Sequence, residues 1–218
     1  NYEEPSPEIL ADLVTYPVKY VIIADAMFTA QLQPFIEWKT QKGFTVVTGY
    51  TNVIGYDAAS IHNFIENLYN NGTPEDPAPS FVLLVGDTPQ IPTYAGYAGG
   101  HVTDLRYCEF NGDYFPEIYY GRFSAQNTSQ LQPQIDKTLE YEQYTMPDPS
   151  YLAEVTLISG VDSYYAETHG NGQINYGTNL YFNTAHGIID NTWLYPASDD
   201  PGAAAAIIQT VNDGIGFI

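Results

Sequence analysis

The strongest constraint on this chain is the rhythm of its apolar residues. Val18–Ala24 is apolar throughout except for Lys19, and Phe44–Tyr50 and Phe81–Val85 read as two further strands. Between the first two, Phe28, Leu32, Phe35, Ile36 and Lys39-Thr40 recur at helical spacing. Gly43 stands where that helix would end, and Pro34 is tolerable only near its first turn. Between the second and third strands, Ile61, Phe64, Ile65 and Leu68 mark one helix face, stopped by Asn71-Gly72. A βαβαβ order with short connections predicts a parallel sheet covered by helices.

Asp104–Phe110 and Ile118–Phe123 read as a pair of strands, followed by a helix marked by Leu131, Ile135, Thr138, Leu139 and Glu142. Met146-Pro147-Asp148-Pro149 is the best linker. Beyond it a second βαβαβ run is expected: strand Val155–Ser159, a helix around Gln173–Asn183, strand Thr192–Leu194 and helix Pro201–Asn212. Asp200 would be the N-cap of that last helix and Pro201 its first residue. Gly214–Ile218 begins another strand, inside which the sequence stops, so the chain reads as part of a longer polypeptide. Residues 1–16, punctuated by proline and acids, read as a surface arm.

Six basic residues against 26 acidic ones give a formal charge of −20 over 218 residues. That argues against nucleic acid and anionic membranes as partners, where positive charge drives association. A single cysteine precludes an intrachain disulfide. No stretch has the length and apolarity of a membrane span, and the N-terminus lacks a signal-peptide core. If the protein is exported, this is its processed form.

Asn111-Gly112-Asp113-Tyr114-Phe115-Pro116-Glu117 places a carboxamide, two carboxylates and a main-chain carbonyl at alternate positions. Hard divalent cations such as calcium take oxygen ligands of these kinds. Asp87, just past the apolar run Phe81–Val85, is a further candidate. The spacing is not that of the twelve-residue calcium loop, and a solvated acidic turn explains the pattern equally well. Functional groups in open α/β sheets gather beyond the carboxyl ends of strands, which singles out Asp25, Asp87 and Asp162. Asp162 has the position to orient a histidine in a nucleophile–base–acid arrangement, or is simply a loop carboxylate in water. Cys108 lies in a predicted strand beside Glu109, surroundings that disfavour a thiolate, so it reads as a packing residue. His62, on the exposed side of its helix, His101 and His169 lack metal-ligand spacing and read as surface residues.

Several stretches in order resemble one family: Trp38–Phe44, Leu84–Thr88, Val102–Leu105, Gly112–Glu117, Ile135–Lys137, Thr145–Asp148 and Ser150–Leu152. The chain is similar, from about Pro17 to Ile218, to the gingipain-type cysteine peptidases, nearest to their lysine-specific members. The resemblance implies a secreted or cell-surface endopeptidase with a caspase-like, three-layer α/β/α fold of mostly parallel sheets. It implies two subdomains, residues 17–148 with the calcium loop and 149–218 as the first half of the catalytic one, the second therefore incomplete. A structural calcium ion would fall on Asp87, Asn111, Asp113, the Phe115 carbonyl and Glu117. Asn111 departs from the family pattern, where an acid can stand, and one fewer charge should weaken the site. Matching Leu157–Asp162 makes Asp162 the acid that orients the catalytic histidine.

By the same resemblance the histidine and the nucleophilic cysteine lie beyond Ile218, in a continuation or a second chain. Thr184-Ala185-His186-Gly187 spells the family's histidine context, but its place in the element order matches a non-catalytic histidine, so His186 reads as a helix C-terminal residue. The implied substrates are proteins or peptides cut after basic residues. The competing readings are a catalytically inactive binding or adhesion module that keeps calcium for folding, and a small-molecule-binding α/β protein. The lack of a glycine-rich phosphate loop between Ala24 and Phe28 tells against the latter.

Overall fold

The computed structural model describes residues 17–96 and 100–218; the expected arm over residues 1–16 lies outside them. The chain divides into two compact units between Gln143 and Tyr144.

In the first unit, strands β1 (Val18–Ala24), β2 (Phe44–Tyr50) and β3 (Pro79–Val85) alternate with helices α1 (Thr29–Gln41) and α2 (Ala58–Asn70). Two short antiparallel strands, β4 (Tyr94–Ala95) and β5 (Val102–Thr103), precede strand β6 (Tyr119–Phe123) and helix α3 (Thr128–Gln143). The main sheet is parallel, in the order β2-β1-β3-β6. Strand residues point alternately to opposite faces, and the core follows that alternation. Val21, Ile23, Val82 and Leu84 pack with Ile61 and Ile65 of α2. Ile22, Ala24, Leu83 and Val85 pack with Leu32 and Phe35 of α1 and Leu131 and Ile135 of α3. Both faces of the central strands are thus dry, which is why their sequences are apolar without a break. Lys19, the exception, is 2% exposed. Its stem lies along the sheet and its Nζ reaches Asp76 Oδ1 at 2.8 Å.

The expected strand pair around the acidic loop does not form. Leu105–Tyr107 is a 3-10 turn, and β6 pairs in parallel with β3 instead. Tyr107 and Cys108 are consecutive and both fully buried. A strand would send one of them to each face, whereas the coiled backbone turns both into the core. Among the described residues the backbones are joined there by one hydrogen bond, from the Glu117 N–H to the Cys108 carbonyl at 2.8 Å. Pro34 lies in the second turn of α1, not the first. It sits on the solvent side, where water can serve the carbonyl its missing N–H leaves unpaired. Gly43, with φ of 94°, ends the helix where expected.

In the second unit, strands β7 (Glu154–Ile158) and β8 (Ile189–Trp193) pair in parallel around helix α4 (Asn171–Leu180). Helix α5 (Ala203–Asp213) follows. Where Gly214–Ile218 was expected to begin a strand, Phe217 makes a single parallel bridge to Val155. The last helix starts later than its sequence suggests. Its cap is Gly202, and Asp200 contributes its carbonyl to Ala203 N–H at 2.9 Å rather than a side-chain cap. Pro201 and Gly202 form a turn ahead of the helix instead of its first residues.

Candidate functional site

Groups collect at the carboxyl ends of the strands, beginning with β3. Gly86 adopts φ of 140°, a backbone that L side chains rarely take. The Gly86 and Asp87 N–H groups then donate to Phe123 and Ala125 carbonyls, both at 2.9 Å. The Asp87 carboxylate is held on both oxygens. Oδ1 accepts Thr88 N–H at 2.8 Å and Ser124 Oγ at 3.3 Å, and Oδ2 accepts Gln126 Nε2 at 2.7 Å. These bonds, the Gln126 amide foremost, hold the carboxyl below its usual range. Asp25 proves to be a cap: its Oδ1 accepts Met27 N–H at 2.8 Å at the start of a 3-10 turn.

The acidic loop is tied together by two glutamates. Glu117 Oε2 accepts Phe110 N–H at 2.7 Å, and its Oε1 accepts Asn111 Nδ2 at 2.5 Å. Glu109 Oε1 accepts the N–H groups of Gly112 and Asp113. Asp113 Oδ1 accepts Phe115 N–H at 2.9 Å. Gly112 and Tyr114 both have positive φ, 77° and 68°, so the loop reverses tightly. The structure therefore brings Asn111 and Glu117 together, with Asp113 and Phe115 in the same turn, while Asp87 has partners of its own. Among the described residues no three His, Cys, Asp or Glu side chains converge as a metal cluster.

In the second unit, Asp162 follows β7. Its Oδ1 accepts Tyr164 N–H at 2.8 Å and Tyr165 N–H at 3.4 Å, which fixes the carboxylate from one side. Among the described residues Oδ2 has no partner within the chain. His186 is exposed, in the 3-10 turn Thr184–His186, with Nδ1 3.1 Å from Asn183 Oδ1. His169 is also exposed and packs edge-on against Tyr165. Cys108 is fully buried in the first unit's core, and burial, then Asp104 and Glu117, pushes its thiol up to about 12. It follows the 3-10 turn rather than lying in a strand, but it is a packing residue as expected. His62 is not a plain surface residue: its Nδ1 lies 2.6 Å from the Arg106 carbonyl oxygen.

Two features escape a linear reading. Arg122 forms a two-pronged pair with Asp104, at 2.8 and 2.7 Å, and its Nη1 donates to the Gly86 and Ile91 carbonyls. This fastens β6, the turn after β3 and the loop before β6 to one another. Glu142 gathers Lys39, Lys42 and Trp38 Nε1 at 2.6, 3.0 and 2.9 Å. Their separations along the chain leave no local signal; only a basic residue in an acidic chain hints that a partner must exist.

Fold and site together define a layered, mostly parallel α/β protein with acidic groups set past the carboxyl ends of its strands. The profile of Peptidase family C25 matches residues 14–218, and the chain belongs to that family of cysteine peptidases. It is 41% identical over 208 residues to Lys-gingipain of Porphyromonas gingivalis, covering 94% of this chain and 12% of that protein. Among solved structures, one described as "Structure of Protease" is similar, with a TM-score of 0.82 and 40% identity over 91% of this chain and 43% of the other. The "Arg specific cysteine proteinase gingipain R (RGPB)" gives a TM-score of 0.73 at 26% identity, over 91% and 45% of the two chains. The chain thus spans about an eighth of its curated Lys-gingipain relative. Among the described residues no helix is long and apolar enough to cross a membrane.

Proposed function

We propose that these residues form the calcium-loop and acid-bearing part of a secreted or cell-surface cysteine endopeptidase that cuts proteins or peptides after basic residues. The observation that carries this reading is Asp162. One carboxylate oxygen is anchored by two backbone N–H groups, and the other is open. A carboxylate so placed holds an imidazole in one tautomer and stabilises the imidazolium formed as the histidine takes the thiol proton. The histidine and the cysteine are supplied from outside these 218 residues, because Cys108 is buried and kept protonated. A thiolate then attacks the scissile carbonyl, and the imidazolium returns the proton to the leaving amine. An acidic protein suits a substrate with a basic side chain, since the field attracts it.

The reading includes calcium on Asp87, Asn111, Asp113, the Phe115 carbonyl and Glu117. The donor set fits a hard cation: carboxylates, a carboxamide and a main-chain carbonyl, all oxygen. Each carboxylate oxygen has more than one acceptor direction, so Glu117 retains capacity beside the bonds it already makes. Turning the Asn111 amide presents its oxygen instead of its nitrogen. Calcium bound here would supply positive charge that neutralises the loop's carboxylates and ties it to the end of β3.

The test is hydrolysis of peptides with lysine or arginine before the scissile bond by the full-length protein, and its inhibition by a thiol alkylator. Asp162→Asn should lower kcat/KM by roughly 10²- to 10⁴-fold with folding unchanged. Undiminished turnover in that variant removes Asp162 from the mechanism. Absence of any thiol-dependent turnover favours an inactive binding module.

A further inference from the structure

Arg106 is the middle residue of the 3-10 turn Leu105–Tyr107 after β5. Of the six basic side chains, Lys19, Lys39, Lys42 and Arg122 are paired with carboxylates. Among the described residues no carboxylate lies within ion-pair distance of Arg106, and its guanidinium donates no hydrogen bond. Its centre stands 5.7 Å from the centroid of the Tyr94 ring. In a chain with 26 acidic residues, Arg106 and Lys137 are the two basic side chains that, among the described residues, have no carboxylate at ion-pair distance. The turn that carries it is not loose. His62 of α2 contacts the Arg106 carbonyl at 2.6 Å and lies 3.5 Å from Glu66, and the next two residues are fully buried.

Two adjoining cavities open beside this guanidinium, of about 390 and 250 Å³, and share Arg106, Glu109 and Tyr114 in their walls. His62 and Tyr94 complete the larger, and Leu105 helps line the smaller. Glu109 gives one oxygen to the acidic loop's backbone, so its orientation is fixed by that loop. The space is therefore lined by one guanidinium and one carboxylate, the imidazoles of His62 and His101, two tyrosine rings and a few apolar side chains. A guanidinium fork matches a carboxylate in two parallel hydrogen bonds. One cation beside an acid, in a protein of charge −20, is a poor host for a doubly charged phosphate. The walls favour a ligand with an apolar body rather than a small inorganic anion.

We propose that this cavity is a binding site for a peptide-type carboxylate bearing an apolar side chain, its carboxylate on Arg106 and its body against Tyr94 and Tyr114. The inference is independent of the peptidase reading, because it concerns the first unit alone and involves no bond cleavage.

The experiment is calorimetric titration of the full-length protein with N-acetyl-phenylalanine, N-acetyl-phenylalanine amide and inorganic phosphate. None of these contains a bond that a peptidase cutting after basic residues would break. Saturable binding of the acid is expected, weakened at least about tenfold in the amide and in Arg106→Gln, the size of a lost charge-assisted pair. Arg106→Lys should fall between. Circular dichroism checks that the variants fold, and if Arg106→Gln does not, the acid–amide comparison on the unaltered protein decides. No saturable binding of the acid, equal binding of the amide, an unchanged Arg106→Gln or tighter binding of phosphate overturns the assignment.

Discussion

Burial gives Cys108 its chemistry. With the thiol enclosed by the first unit's core and pushed up to about 12, almost none is thiolate at neutral pH. Native protein treated with iodoacetamide at about pH 8 should leave Cys108 unmodified by peptide mass mapping, and label it once denatured. Cys108→Ala should cost about 1 kcal/mol in denaturant unfolding, from lost packing, and leave peptidase activity unchanged. At Asn111 the effect belongs equally to one side chain. Replacing the carboxamide with a carboxylate adds a charge to the proposed calcium set, so Asn111→Asp should tighten calcium binding by titration. An unchanged affinity removes Asn111 from that set.

At the scale of elements, the Glu142 cluster fastens the end of α3 to the end of α1. Lys39 is only 9% exposed at its side chain, and its Nζ also lies 5.0 to 5.7 Å from the ring centroids of Tyr20, Phe35 and Phe44. Burial alone would raise the Glu142 carboxyl, but the hydrogen bonds from Lys39, Lys42 and Trp38 outweigh it and hold it below its ordinary range. A depressed folded-state value means stability that is present above the unfolded carboxylate range and lost as pH falls through the folded value. Melting temperature should therefore drop below about pH 4.5, and Glu142→Gln should reduce that slope and cost about 1–3 kcal/mol at neutral pH. A pH profile unaltered by the substitution rules the clamp out. Gly49 of β2 is a second control on packing between elements. A Cβ there would meet Phe64 and Ile23 side chains at 2.8 and 2.9 Å, so Gly49→Ala should destabilise by about 1–3 kcal/mol in urea unfolding.

For the whole molecule, charge and calcium make separable predictions. A formal charge of −20 repels itself, and salt screens that repulsion, so the melting temperature should rise as sodium chloride goes from about 10 mM to about 0.3 M. Calcium bound at a defined site acts differently. At about a hundred times its dissociation constant it should add about 3 kcal/mol, shifting the melting temperature by several degrees at constant ionic strength, and a chelator should reverse the shift. A response to calcium no greater than that to matched sodium chloride removes the metal site.

The order of elements was legible because it is local: buried strands read as unbroken apolar runs and helices as a periodic face. Gly43 marks a helix end by the same short-range chemistry. The carboxylates at strand ends were visible too, since strand ends follow from strands. Partners distant in sequence were not. That β6 joins β3 rather than the segment before the acidic loop, that Arg122 meets Asp104, and that Lys39 meets Glu142 are decided only when the chain closes on itself. A charge in a sequence shows that a partner is needed; which partner it finds depends on the packing of apolar faces that carry no record of their opposite numbers.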